Sequence, residues 1–244
     1  MTSHYLPSKY IKLTIVAVML LVMNIFVVQY FEIDKSRILR VVSVLSLFLF
    51  FLYYKSYSEK LILVALALFA TRDIMILDYE NSLFKTISFM LTIAAYSSIL
   101  LLTLKKLKIS KSTPIIILLV TILILLNVFN VYYLSDIIKS GLDNQLQFVL
   151  FFIQGGVLIL LGFAAFMYNE RFQGKTPLIY LYMVLCFVLS DCFGLGAYFY
   201  EAQLAYFPER VFYLLAIVFL VNFALNTKTQ KEEGILLTEK EYIL

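Results

Sequence analysis

"KLILVALALFATRDIMIL", Lys60 to Leu77, decides how the rest of the chain is read. From Leu61 to Ala70 every side chain is apolar. Arg72 and Asp73 then stand side by side before the apolar run resumes at Ile74. A helix on a water-soluble domain carries a polar face, and this one has none, so its solvent is lipid. Ionisable groups at such depth cost several kcal/mol and by default mark a functional site.

Working outward, the same texture recurs from end to end. The chain has 244 residues, 62% of them hydrophobic and 15% charged, with a mean hydropathy of +0.92. A soluble domain carries about a quarter charged residues. Apolar runs between charged or turn-forming breaks place eight spans near 11–31, 38–54, 60–77, 83–104, 114–134, 146–168, 177–200 and 207–226. Continuous runs of this length choose helices, because lipid offers no partner for an open strand edge. The expected fold is therefore all-α, a polytopic membrane protein of eight transmembrane helices. Pro114 and Pro177 fall in the first turn of the fifth and seventh spans, where a missing N–H costs nothing.

The net charge of +4 then belongs to loops, and no basic, aromatic-interleaved surface is left for nucleic acid. Lys9, Lys12, Lys55, Lys60, the "LKKLKISK" loop, Arg171, Lys175 and the tail lysines gather on the side of the N-terminus. Lys35, Arg37, Arg40, Lys85, Lys139 and Arg210 fall on the opposite side. Positive charge accumulates in the cytoplasm, so both termini are expected there. The Lys- and Ile-rich, Trp-free composition points to a bacterial inner membrane. The first apolar run is too long for a signal-peptide core and reads as a retained span. The stretch 227–244 is a short cytoplasmic tail, too short to be a domain.

The chain also repeats itself. "NIFVVQY" (Asn24–Tyr30) in the first span matches "NVFNVYY" (Asn127–Tyr133) in the fifth. "FATRDIMIL" (Phe69–Leu77) matches "FVLSDCFGL" (Phe187–Leu195), which lays Asp73 on Asp191. The order is preserved, so residues 1–112 and 113–226 are expected to be two four-helix repeats. Four helices is an even number, so the copies keep one orientation, related by an axis along the membrane normal. Asp73 lies 13 residues after Lys60 and Asp191 lies 14 after Pro177. At 1.5 Å per residue both carboxyls sit roughly 20 Å from the N-terminal side, level with each other.

Asp73 and Asp191 are thus the expected catalytic pair. Asn24, Gln29, Asn127 and Asn130 lie in the outward halves of the first and fifth spans, and Ser88, Thr92 and Tyr96 form a stripe on the fourth. Arg72, Asn24, Asn127 and Tyr96 are the candidates to line a substrate cavity. Gly155, Gly156 and Gly162 are expected as close-packing positions, and Cys186 and Cys192 as small apolar fillers. Asp78, Glu80, Glu201, Glu209 and Arg210 are expected on a solvated outer rim. The single histidine, His4, stands in the N-terminal tail, so no imidazole-built zinc or haem site is expected, nor any other cofactor.

An eight-span chain with an aspartate in the third span, Ser190–Asp191 in the seventh and an aromatic eighth resembles the YhhN family, whose members include lysoplasmalogenases. The likeness is densest in "LCFVLSDCFGLGAYFYEAQLAYFPERVFYLLAIVF", Leu185 to Phe219, and adds Ser190 and Tyr213 to the substrate-binding candidates. The chain departs from the family at Arg72, where a glycine precedes the aspartate. It also lacks a histidine in the fourth span and carries Ile217 where a glutamine closes Tyr-x-x-Ala-Gln. The resemblance implies hydrolysis of the vinyl ether of a lysophospholipid, giving an aldehyde and a glycerophospho-alcohol. Vinyl ether hydrolysis begins by protonating the β-carbon and leaves an oxocarbenium-like cation for water. One carboxyl must carry the proton and the other the charge, a division of labour that paired carboxylates perform. Arg72 favours the charged form of Asp73, which leaves Asp191 as the acid. The alternative is a non-enzymatic carrier or binding protein for a proton-coupled or polar solute, with Arg72, Asp73 and Asp191 as its coordinating groups.

Overall fold

The computed structural model describes residues 8–54, 60–105, 118, 121–122, 125, 138–139, 141–172, 174–200 and 202–243, with side chains described to Thr227. The expected fifth span, with Asn127 and Asn130, lies outside the described residues except for Leu118, Thr121, Ile122 and Leu125, and Glu201 lies outside them too. Among the described residues there are seven α-helices and no strand. They are α1 (Ser8–Tyr30), α2 (Ile33–Tyr53), α3 (Lys60–Met75), α4 (Ser82–Leu104), α5 (Gln145–Arg171), α6 (Lys175–Tyr198) and α7 (Tyr206–Ile243).

Six of the seven are long and apolar enough to cross a bilayer; α3, at 16 residues, is the exception. On α1 the buried positions Leu13, Ala17, Leu20 and Asn24 form one stripe, while Ile11, Ile15, Val18 and Val22 form another on the outer surface. Both faces are greasy. Water would reject that outer face, whereas lipid accepts it, and this is what makes the chain an integral membrane protein.

Local chemistry fixes the helix ends. The side chain of Asn81 caps α4 by accepting the N–H of Leu83, and Asn144 caps α5 by accepting that of Gln147. Gly174 stands before α6 with φ 129°, a conformation that suits glycine alone, and Pro177 occupies the first turn. The second helix begins at Ile33 rather than at residue 38, because Asp34, Lys35 and Arg37 continue the helix instead of breaking it. The last helix runs on to Ile243, through the stretch expected only as a tail.

The core lies where α3, α4, α6 and α7 meet. Phe69, Tyr96, Phe187 and Tyr213 are all within 2% of full burial. At its centre Phe69 and Phe187 stack with centroids 5.0 Å apart, and Tyr96 and Tyr213 close on them edge-on. At one end of the bundle Gln147 clips the start of α5 to the start of α4. It is fully buried, and its Nε2 donates to the Ser82 carbonyl, Ser82 Oγ and Thr86 Oγ1. Two ion pairs, Arg37 with Glu80 and Lys85 with Asp143, tie the helix starts together at that same end. Glu80 lies outside the spans, and its hydrogen bond from Arg37 holds its carboxyl below the usual range. The Lys85 hydrogen bond does the same for Asp143.

Candidate functional site

The repeated "F-x-x-x-D" pieces place the site. Phe69 and Phe187 stack at the core, and one helical turn later each helix delivers its aspartate, Asp73 from α3 and Asp191 from α6. The two carboxyls are then held in matching ways from opposite halves. Tyr213 on α7 donates to Asp73 Oδ2 at 2.7 Å, and Tyr96 on α4 donates to Asp191 Oδ1 at 3.1 Å. Arg40 on α2 donates from Nε to Asp73 Oδ1 at 3.0 Å, while Gln154 on α5 donates to Asp191 Oδ2 at 3.0 Å. Each aspartate is thus gripped by one tyrosine from the other half and one donor from a helix of its own half.

The two grips differ in charge. Asp73 Oδ1 also accepts Arg72 Nε and Nη2, at 3.0 and 2.8 Å, and its side chain has no exposure. Both guanidiniums lie against the Tyr213 ring, with Cζ 4.0 and 4.6 Å from its centroid. Arg40 passes the charge on through Nη1 to Glu209 Oε1 at 3.1 Å, and Glu209 Oε2 lies 3.7 Å from Arg210 Nε. Arg72, Asp73, Arg40, Glu209 and Arg210 therefore alternate in sign, three guanidiniums against two carboxylates. Glu209 Oε2 and Arg210 Nε and Nη1 are buried without a hydrogen-bond partner. At Asp191 both donors among the described residues are neutral, the Tyr96 hydroxyl and the Gln154 amide, and Ser190 stands where Arg72 stands beside Asp73.

A cavity of about 340 Å³ opens on this network between α4, α5 and α6. Its wall changes character along its length. Arg40, Arg72, Ser190, Asp191, Gln154 and Glu209 line one part, and Leu158, Ile159, Phe166, Leu181, Val184 and Val188 line the other. Tyr79, Tyr198 and Phe199 stand at the polar end. Burial raises the phenol of Tyr79, which sits in the turn outside the spans and stays neutral at any working pH. The apolar section runs from Asp191 toward the start of α6, and along α5 from Gln154 toward Phe166.

Of the residues singled out by the sequence, Arg72, Ser190 and Asp191 line this cavity. Tyr96 and Tyr213 hold the aspartates from behind and are themselves buried. Asp73 does not reach the cavity wall, since its side chain is fully enclosed. Asn24 lies elsewhere, donating to Ser43 Oγ and the Leu20 carbonyl between α1 and α2. Ser88 and Thr92 line the cavity, each with its hydroxyl turned back onto its own helix.

Three expectations are overturned. Glu209 and Arg210 are not a solvated rim but are 3% and 2% exposed, because each neutralises the charge network from inside. Arg37, Arg40 and Lys85 are not loop charges but buried members of α2 and α4 with carboxylate partners. Gly162 is not a close-packing position. It is buried on the cavity wall, yet a Cβ there would meet nothing within 4 Å. Cys186 is buried, whereas Cys192 is exposed on the cavity wall. Among the described residues no three of His, Cys, Asp and Glu come together as a metal-ligating group.

No protein-family model, curated protein or solved structure matches this chain.

Proposed function

We propose that this protein is a membrane-embedded hydrolase resembling the lysoplasmalogenases of the YhhN family, acting on the vinyl ether of a single-chain phospholipid. The observation that carries this reading is the axial order of the cavity wall: two guanidiniums and a carboxyl with neutral partners at one end, then an unbroken apolar section. A volume of about 340 Å³ is near the lower end of the roughly 300–1,000 Å³ typical of ligand pockets, which suits one tail better than two.

Arg40 and Arg72 bind the lipid phosphate, which offers the paired oxygens that guanidiniums grip best. Asp191 is the acid. No guanidinium donates to it, so nothing at hydrogen-bond distance obliges it to be charged. It delivers its proton to the alkenyl carbon one removed from the ether oxygen. The double-bond electrons form the new C–H bond, and the carbon attached to oxygen becomes an oxocarbenium ion. Water adds there and gives up a proton, and the hemiacetal collapses to an aldehyde and the free glycerophospho-alcohol. The proton taken from water passes back to Asp191 through cavity water, so the enzyme is unchanged. Glu209, the second carboxylate on the cavity wall, is the base for that water, and Asp73 acts through Arg40 and Arg72 by holding them in place.

We infer in addition that the chain has eight spans in two four-helix repeats, with both termini cytoplasmic in a bacterial inner membrane. The reciprocal grips, Tyr96 on Asp191 and Tyr213 on Asp73, support the duplication. The start of α5 is clipped to the start of α4, at the opposite end of the bundle from Leu104, which supports the eighth span.

Purified protein given a 1-alkenyl lysophospholipid should release a fatty aldehyde, and Asp191→Asn should lose this activity. Aldehyde release that survives the substitution would remove Asp191 as the acid. The carrier reading keeps Arg72 and Asp191 as its coordinating groups, since Asp73 is enclosed and cannot touch a solute. Lipid that shields Cys192 from a thiol reagent without ever being cleaved would establish that reading instead.

A further inference from the structure

Glycine in a membrane helix ordinarily lets a neighbouring backbone approach. Gly162 does the opposite: it is buried, and the space its missing side chain leaves is empty. That space belongs to the apolar part of the cavity, between Leu158 and Ile159 on one side and Phe166 on the other. Across it, α6 presents Leu181, Val184, Leu185 and Val188. Gln154, hydrogen-bonded to Asp191, marks the level of the reacting atoms on α5. Gly162 lies eight residues further along the helix and Phe166 twelve, which at 1.5 Å per residue is about 12 and about 18 Å. A bilayer's hydrocarbon core of about 30 Å holds two tails end to end, so one tail is about 15 Å long. The open section therefore begins at the acid and ends within a few ångströms of one tail length, with Gly162 about two-thirds of the way along.

We propose that the gap between α5 and α6 is the subsite for the lipid tail, and that Gly162 and Phe166 set the length of chain it accepts. The proposal rests on the hydrolase reading for the identity of the lipid, but the subsite itself can be tested without catalysis. A tail long enough to pass Gly162 fills the void there and stops against Phe166. A shorter tail leaves that void empty and gains nothing from it.

Cys192 supplies the probe, because it is the exposed thiol on the cavity wall while Cys186 is buried. Saturated 1-alkyl lysophospholipids of increasing chain length, which carry no vinyl ether to cleave, are added to the detergent-purified chain. The rate at which a maleimide modifies Cys192 is then measured. In the wild type, protection should increase with chain length and level off once the tail reaches Phe166. In Gly162→Phe the longest chains should lose protection about ten-fold relative to the shortest, as expected for forcing bulk into a filled site. Phe166→Ala should move the plateau to longer chains. An unreactive Cys186 verifies that each variant is folded, and Gly162→Val gives a graded step should the phenylalanine prevent folding. An identical chain-length profile in wild type, Gly162→Phe or Gly162→Val, and Phe166→Ala would overturn the proposal. Aldehyde release from the vinyl ether lipid is scored separately, so a chain that binds by length but never cleaves removes the hydrolase reading and leaves the tail subsite standing.

Discussion

Asp73 and Asp191 look alike in the sequence, and replacing each by asparagine should separate them. Asp73 accepts four hydrogen bonds, three from guanidiniums and one from a tyrosine. Asparagine keeps the shape but removes the charge. It also turns one acceptor oxygen into a donor that faces either Arg40 and Arg72 or the Tyr213 hydroxyl. Breaking a buried ion pair from one side costs about 3–5 kcal/mol, because the remaining charge is left uncompensated. Among the described residues Asp191 accepts only neutral donors, and an asparagine there loses a hydrogen bond of about 1 kcal/mol. With about 2–4 °C of Tm per kcal/mol for a chain of this size, Asp73→Asn should lower Tm by roughly 6–20 °C and Asp191→Asn by no more than about 4 °C. The chain has no tryptophan, so unfolding is best followed through the buried thiol of Cys186 with a thiol-reactive dye, in a Cys192→Ser background. An Asp73→Asn protein that melts within about 2 °C of its parent, or an Asp191→Asn protein that loses more, would refute the division of roles.

Three further outcomes are expected. Gln147→Leu strips the acceptors of Ser82 and Thr86 of their donor and leaves the Asp143 N–H unmatched. It should cost about 1–3 kcal/mol in thermal melts, and an unchanged Tm would mean the α4–α5 clip carries no weight. Tyr96→Phe removes the hydroxyl on Asp191, so kcat should fall about ten-fold with KM and Tm nearly unchanged; a loss confined to KM would place Tyr96 in binding instead. Glu80 and Asp143 have carboxyls held below their ordinary values, so the folded state binds these protons less readily than the unfolded one. Their contribution is full above the ordinary carboxylate values near 4 and disappears as pH falls through the lower folded values. Tm should stay level from neutrality to about pH 5 and drop below about pH 4, with a shallower drop in Glu80→Gln/Asp143→Asn. The same acid limb in that double variant would contradict the attribution.

How far the sequence reveals this arrangement depends on the kind of residue. Long apolar runs announce the helices with little ambiguity, since nothing but lipid tolerates α1 or α4. The repeat of Phe-x-x-x-Asp brought out the two carboxyls, and the tyrosines of the fourth and last spans were visible as candidates. Arg40 and Glu209 were hidden by a different rule. A charge near the end of an apolar run reads as a loop charge, yet arginine sustains a helix and needs only a buried carboxylate to stay there. The signal available was the spacing of Arg37 and Arg40, which puts both on one face of α2. Gln154 gave no signal beyond being a lone amide in an apolar run. Gly162 could not be read at all, because the sequence does not distinguish a glycine that admits a neighbour from one that leaves a void.

The central claim is that Asp191 protonates a vinyl ether carbon inside the cavity, and the isotope content of the product tests it most directly. In D2O, aldehyde released from a 1-alkenyl lysophospholipid and reduced at once to the alcohol should carry one solvent deuterium on the carbon next to the former carbonyl. Asp191→Asn should release none. Aldehyde without that deuterium, or no aldehyde from the wild type, would contradict the account.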